Sequence, residues 1–432
     1  MPTDPFGPLG LGGVSPFGPR TPARPPIPEP LEAPRAVMIP EQVTIADDAE
    51  TLPPAAVDPD ARLPRGFAKL SVHRGTDERG RELFWLKGHS GDEALALDSE
   101  HARLRPDDIA LSNIRQEGFA PTELFLAVAD WSDHQERLVR WINDLRARHG
   151  ADLQLVVWDD TDYDIPWELI HLPADRRHGL AAGILGALVT VVRWTTIRKA
   201  DASPFGEPAA CSGHVLGYYA QTMRRDITVF ENFEHRVHLG SGSFLSDLAR
   251  PDLGAGLVYM GCHATHGSRL YDLRLDSLTW GELNAHTMPA LDGQRTLVCL
   301  NACQSALMVD NSRRGENMLR GFAELFLRKG AGGCIATSGK VGDDIAHALI
   351  RELIRHLCAD PEIPVAQALR EFRARAAAGL PSPLPRLYTD DGKMDAVGQR
   401  QLLPLLYSFM FLYFGHPLTT LRLSARAQEM GA

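Results

Sequence analysis

The chain has 432 residues, 44% of them apolar and 23% charged, and a formal net charge of −10. That length and composition suit two or three ordinary globular domains with sizeable cores. They argue against a nucleic-acid-coating surface, which needs a clustered basic face, and against a bilayer span, which needs an apolar run of about 18 residues.

In chain order, residues 1–64 stand apart. They hold about half of all the prolines and few apolar runs, so they read as a proline-rich disordered tail. Two identical tetrapeptides, Pro5-Phe6-Gly7-Pro8 and Pro16-Phe17-Gly18-Pro19, could dock a partner; an extended polyproline-type tail with two incidental aromatics is the preferred reading. No basic segment followed by an apolar core suggests a secretory leader. Phe67–His73 and Leu83–Lys87 read as strands around a Gly- and Asp-rich turn, and Thr122–Val128 as a third strand. A helix is expected from Ser132, with Gln135 completing a capping box, to Gly150. Leu138, Trp141, Ile142 and Leu145 line its inner face.

Beyond Gly150 the strands lose their alternation. Leu153–Trp158, Leu188–Trp194, Val215–Ala220, Leu257–Cys262, Leu297–Ala302 and Cys334–Thr337 are nearly all apolar, as in a parallel sheet buried on both faces. Helices are expected over Met318–Arg328 and Ile345–Leu357. Strand–helix alternation of this kind means an open, mostly parallel α/β sheet, in which function collects at the carboxyl ends of the strands.

Two such ends carry chemistry. The run from Gly256 to Cys262 leads straight into His263, and the run from Thr296 to Ala302 leads straight into Cys303. If the strands are parallel neighbours, both side chains emerge at one edge of the sheet. That arrangement suits a thiol nucleophile and an imidazole base, because the thiolate is the reactive form and a nearby imidazolium favours it. Gly261 would let backbone approach closely, and the turns after the strands could aim N–H groups at an oxyanion. The remaining cysteines, Cys211, Cys262, Cys299, Cys334 and Cys358, fit reduced thiols acting mainly as small apolar side chains.

These residues resemble a known family. Asp164-Ile165-Pro166-Trp167-Glu168-Leu169-Ile170 is similar to the Pro-Trp-Glu-Leu-Leu signature of CHAT-domain proteins, a branch of the caspase-like, separase-related cysteine peptidases. Leu257–His263 resembles the strand bearing the family's histidine, and Leu270–Leu283 its next, Leu-rich segment. Leu300-Asn301-Ala302-Cys303-Gln304-Ser305 resembles the cysteine motif. Gly315-Glu316-Asn317, Phe322, Gly330-Ala331 and Ile335-Ala336-Thr337 resemble the helix and strand that come after the family's cysteine, and Tyr407–Pro417 the closing strand. The resemblance spans roughly residues 120–420. It implies a β-rich segment with a degenerate caspase-like half over 66–205 and an active peptidase half over 206–425.

The resemblance further implies a regulated cysteine endopeptidase acting on a protein substrate, in a bacterial defence or signalling setting. Cys303 would be the nucleophile and His263 the base. Backbone N–H groups of Cys303 and Ala264 would form the oxyanion hole. No cofactor or metal is implied. One departure is that the family usually has Gly after its histidine, where this chain has Ala264; the only nearby His-Gly pair is His266-Gly267.

Other chemistries fit less well. No Cys-x-x-Cys pair supports a zinc site, no Gly-x-Ser-x-Gly a serine hydrolase, and Val341 stands where a phosphate loop after Gly339-Lys340 needs Ser or Thr. Trp167 and Glu168 read as a buried ring with a cap or ion pair. The alternative of another class is a catalytically silent scaffold that uses the fold to bind a partner. With no helical repeat in the chain, the expected activator is a separate molecule. The segment Gln304–Gly315 is expected to be a mobile loop shaping the cleft, and the protein is expected to be cytoplasmic.

Overall fold

A computed structural model describes residues 63–426, apart from 92–94, 99–100, 107, 114–119, 198–202, 294, 311–318 and 341–342. The repeats of the proline-rich tail, Gly315-Glu316-Asn317 and residues 311–315 of the loop expected after Cys303 therefore lie outside the described residues.

The chain builds one long sheet. Strands β1 (Phe67–Thr76) and β2 (Glu82–Ser90) form an antiparallel hairpin; β3 (Gln154–Asp159) pairs parallel with β1, and β4 (Thr190–Trp194) with β3. Strands β5 (Ala210–Tyr219), β6 (His235–His238), β7 (Ala255–Gly261), β8 (Leu297–Asn301) and β9 (Gly333–Thr337) run parallel in the order β6-β5-β7-β8-β9. Strand β10 (Phe411–Gly415) closes this group antiparallel to β9 and meets β4 through one bridge, Phe414 to Arg193. Every residue of β7, β8, β9 and β10 is buried. That explains their unbroken apolar sequence, since helices cover both faces of a mostly parallel sheet.

The α-helices of seven residues or more are α1 (Pro121–Asp133), α2 (Glu136–His149), α3 (Ser241–Leu248), α4 (Phe322–Arg328), α5 (Asp343–Ala359), α6 (Val365–Ala378) and α7 (Ala396–Met410). No helix among the described residues is long and apolar enough to cross a membrane.

The helix expected from Met318 to Arg328 starts only at Phe322, because Leu319–Arg320 pairs as a strand with Val309–Asp310. Three further expectations are corrected. Thr122–Val128 is not a strand but the first half of α1. Pro121 opens that helix, and Glu123 reaches back to the Ala120 backbone N–H at 3.3 Å, a Pro-first, Glu-third start that outweighs the apolar run. Ser132 does not begin α2. It lies near the end of α1, where its hydroxyl donates to the Val128 carbonyl at 2.6 Å and accepts the His171 N–H; α2 starts at Glu136 and stops at Gly150, whose φ is +56°. Tyr407–Met410 belongs to α7 rather than to the closing strand, which starts at Phe411.

Trp167 and Glu168 are structural. The Trp167 ring is fully buried, packs edge-on against Trp131 of α1 and donates Nε1–H to Asp159 at 2.8 Å. Glu168 is 1% exposed and accepts from Nε of Arg193 on β4 at 2.9 Å.

Candidate active site

The geometry of the Cys–His pair comes from register. On the adjacent parallel strands β7 and β8, Gly261 lies opposite Asn301, and the Cys262 N–H donates to the Asn301 carbonyl at 3.3 Å. His263 and Cys303 each stand two residues beyond that pair. The register thus brings both residues to the same edge of the sheet.

Beyond the strands, each residue is held differently. The chain after His263 forms a short ribbon: Ala264–Thr265 pairs antiparallel with Arg274–Leu275. The Asp276 N–H donates to the His263 carbonyl at 2.7 Å, which makes Ala264 opposite Leu275 a non-hydrogen-bonded pair. The ribbon therefore leaves the Ala264 N–H outside its ladder. Asp276 itself sits at φ +54° and accepts the Tyr218 hydroxyl at 2.7 Å, so the turn that pins His263 is tied back to β5.

The His263 ring is exposed, and its Nε2 lies 2.8 Å from the Thr222 hydroxyl. Thr222 belongs to the 3₁₀ segment Gln221–Phe230, which comes directly after β5. No motif in the sequence singled it out. A threonine 41 residues away meets a histidine only because β5 and β7 are neighbours in the sheet.

Cys303 occupies a tight turn and is partly exposed. The Ser305 N–H donates to the Ala302 carbonyl at 3.2 Å, and Gln304 between them has φ +56°. A left-handed third position with this bond is a type II-like turn, with Cys303 at its corner. A non-glycine residue there is strained and persists only when its surroundings over-determine it. Here the Gln304 N–H donates to the Gly339 carbonyl at 3.0 Å, the Ala306 N–H to the Thr337 carbonyl at 2.8 Å, and the Thr337 N–H to the buried Ser305 hydroxyl at 3.0 Å. Residues Gln304–Ala306 are thus bonded to the end of β9 and the residues just after it, and Val309–Asp310 pairs with Leu319–Arg320. The described part of the expected mobile loop is an ordered, hydrogen-bonded turn that leads into a ribbon.

The other cysteines are walls rather than reagents. Cys262, Cys299 and Cys334 are buried, and burial pushes all three thiols well up from their ordinary range. His266 comes directly after the Ala264–Thr265 strand. It is half-buried, burial lowers its pKa, and it lines a cleft with Asp162, Met308 and Asp310. Gly267 answers a packing need, because a Cβ there would come within 2.7 Å of the Asp272 Cβ.

Residues 234–383, which include both strand ends, match the family model of the CHAT domain. That segment matches a CHAT domain and lies in an open, mostly parallel α/β sheet flanked by helices. No curated protein matches the sequence. Among solved structures it is similar to the Arg-specific cysteine proteinase gingipain R, at 13% identity over 67% of this chain and 68% of that one, with a TM-score of 0.42. It is also similar to the pro- and mature domains of the Porphyromonas gingivalis protein RgpB, at 11% identity over 67% and 70%, TM-score 0.42. The Saccharomyces cerevisiae separase–securin complex matches at 13% identity, over 67% of this chain and 18% of that one, TM-score 0.37. The chain therefore spans less than a fifth of the separase chain it matches.

Proposed function

We propose that this chain is a regulated cysteine endopeptidase that hydrolyses a peptide bond in a partner protein. The observation that carries the reading is the register: His263 and Cys303 leave adjacent parallel strands at the same step, inside the CHAT-domain segment.

In this mechanism the Nε2–H of His263 donates to Thr222, which fixes the tautomer and makes Nδ1 the base. Nδ1 takes the Cys303 proton, and the thiolate attacks the scissile carbonyl carbon. The N–H groups of Ala264 and Cys303 hold the resulting oxyanion. The C–N bond then breaks as the imidazolium gives its proton to the leaving amine. Water, deprotonated by the same ring, hydrolyses the thioester and restores the thiol. Alanine after the histidine still offers its N–H, and the ribbon pairing of Ala264 supports its availability. A β-rich segment with a degenerate half over 66–205 would support the active half over 206–425, and a separate activator protein or ligand would switch the enzyme on.

Cys303→Ala and His263→Ala should each abolish cleavage with the fold intact, and the double variant should be no worse than either single, since both remove one step. Replacing the thiol should itself cost only about 1 kcal/mol of stability. His266→Ala should retain most activity. Cleavage at the wild-type rate by Cys303→Ala, measured with the activated protein, rules the mechanism out. Without activator the purified chain should turn over a generic unfolded substrate poorly.

A further inference from the structure

One buried carboxylate outside the Cys–His pair touches every element that carries the pair. Asp226 lies in the 3₁₀ segment Gln221–Phe230 and is fully buried. Its Oδ2 accepts the Tyr259 hydroxyl at 2.6 Å and the Asn301 side-chain amide at 2.9 Å, while Oδ1 meets Nδ1 of His347 at 2.7 Å. The Asn301 amide also donates to the Tyr259 oxygen at 3.0 Å.

The placement of these partners is what matters. Tyr259 is on β7, four residues before His263. Asn301 ends β8, two residues before Cys303. Thr222, which holds the His263 ring, lies four residues before Asp226 in the same segment. His347 is on α5, and Arg225, next to Asp226, forms an ion pair with Asp344 one turn earlier on that helix. Gly261, two residues before His263, leaves room for the carboxylate: a Cβ there would come within 3.0 Å of Asp226 Oδ2. A buried carboxylate is costly unless its oxygens are well matched by donors. This one draws its hydrogen-bond partners from the two strands that lead to the pair and from α5.

We infer that Asp226 is a positioning residue for the Cys303–His263 pair: it ties β7 to β8 just before the pair and anchors the segment from which Thr222 orients the imidazole, with His347 of α5 as its partner. The inference rests on the dyad reading proposed above. Misplacing a catalytic group by about 1 Å can cost on the order of 100-fold in rate, so a strut beneath both residues acts on the chemistry without touching substrate. It also makes α5 the helix whose displacement would reach the pair.

The test is the rate at which iodoacetamide alkylates Cys303 in the full chain at pH 7, with the modified site identified by mass spectrometry and the melting temperature recorded for each variant. Asp226→Asn keeps the volume but sets an amide donor against the surrounding donors. It should slow alkylation about tenfold. Combining it with Asn301→Asp restores one carboxylate and one amide across the contact and should recover most of the rate, which a merely structural role would not require. If Asp226→Asn does not fold, Tyr259→Phe removes one donor without burying a new charge and should slow alkylation about threefold. Alkylation slowed by His263→Ala but unchanged by Asp226→Asn, or by Tyr259→Phe where that variant carries the test, overturns this inference alone. A folded double variant that stays as slow as Asp226→Asn also overturns it. Wild-type alkylation that His263→Ala does not slow overturns the dyad reading itself.

Discussion

At the scale of single residues, the turn that presents Cys303 is where local preference and tertiary demand disagree. Gln304 sits at φ +56°, a conformation that glycine adopts without penalty and most side chains do not. Three backbone hydrogen bonds around it, from Gln304 to Gly339, Ser305 to Ala302 and Ala306 to Thr337, hold it there. Gln304→Gly should therefore raise stability by about 0.5–1 kcal/mol, and Gln304→Val should lower it, both read from the denaturant midpoint. An unchanged midpoint in both variants would mean that the turn carries no strain. The opposite case is Gly330, at φ +102°, where an added Cβ would lie 2.7 Å from the Asp292 Cα; both backbone and space require glycine there.

At the scale of elements, the loop after β3 shows how burial sets a charge. Asp164 has φ +51° and accepts the Ser112 N–H at 3.3 Å. Burial pushes its pKa up to about 7; the Ser112 hydrogen bonds and the Arg193 charge oppose the shift without cancelling it. The native state therefore holds this proton more tightly than the unfolded chain, whose carboxyl titrates near 4. The stabilisation is complete below that pH and is lost as pH rises through about 7. Asp164→Asn, which keeps the shape and tolerates the left-handed backbone, should leave the melting temperature nearly unchanged at pH 4 and raise it by several degrees at pH 8. A gain independent of pH would show that Asp164 is ionised in the native state throughout.

At the scale of the whole molecule, the group β1–β4 meets the group β5–β10 over a charged seam. Within the one sheet, a single bridge among the described residues, Phe414 to Arg193, joins the two groups. Beneath it the buried Glu168 carboxylate bonds to Arg193 and lies near the guanidinium of Arg373, whose Nη2 donates to the Phe411 carbonyl. Burial alone would raise the Glu168 pKa, but the Arg193 charge and hydrogen bonds and the Arg373 charge outweigh it and hold the group below its ordinary value. This contribution is present above the ordinary glutamate pKa and is lost as pH falls through the native value, the reverse of Asp164. Glu168→Ala leaves two buried cations without their partner and should cost about 3–5 kcal/mol. A loss under 1 kcal/mol by denaturant titration would mean that water reaches the seam. On the outer side, Arg74 of β1 bonds to Asp310 at 2.7 Å, so the stretch leaving Cys303 is fastened to the first group of strands as well as to its own.

Much of this molecule could be read from the order of its residues. The buried strands β7, β8 and β9 showed as apolar runs because both of their faces are covered. His263 and Cys303 stood out because each comes directly after such a run, where an α/β sheet places its chemistry. Local sequence also contained the start of α1, in Pro121 and Glu123, although an apolar run from Thr122 to Val128 masks that signal. What no local pattern could supply were contacts made across the fold. Thr222 meets His263, Asp226 joins Tyr259 to Asn301 and His347, and Arg193 pairs with Glu168 only because strands distant in sequence become neighbours. Periodicity and capping act within a few residues and are written in the chain itself, whereas the partners of a buried charge are chosen by register and sheet order, which exist only once the whole sheet has formed.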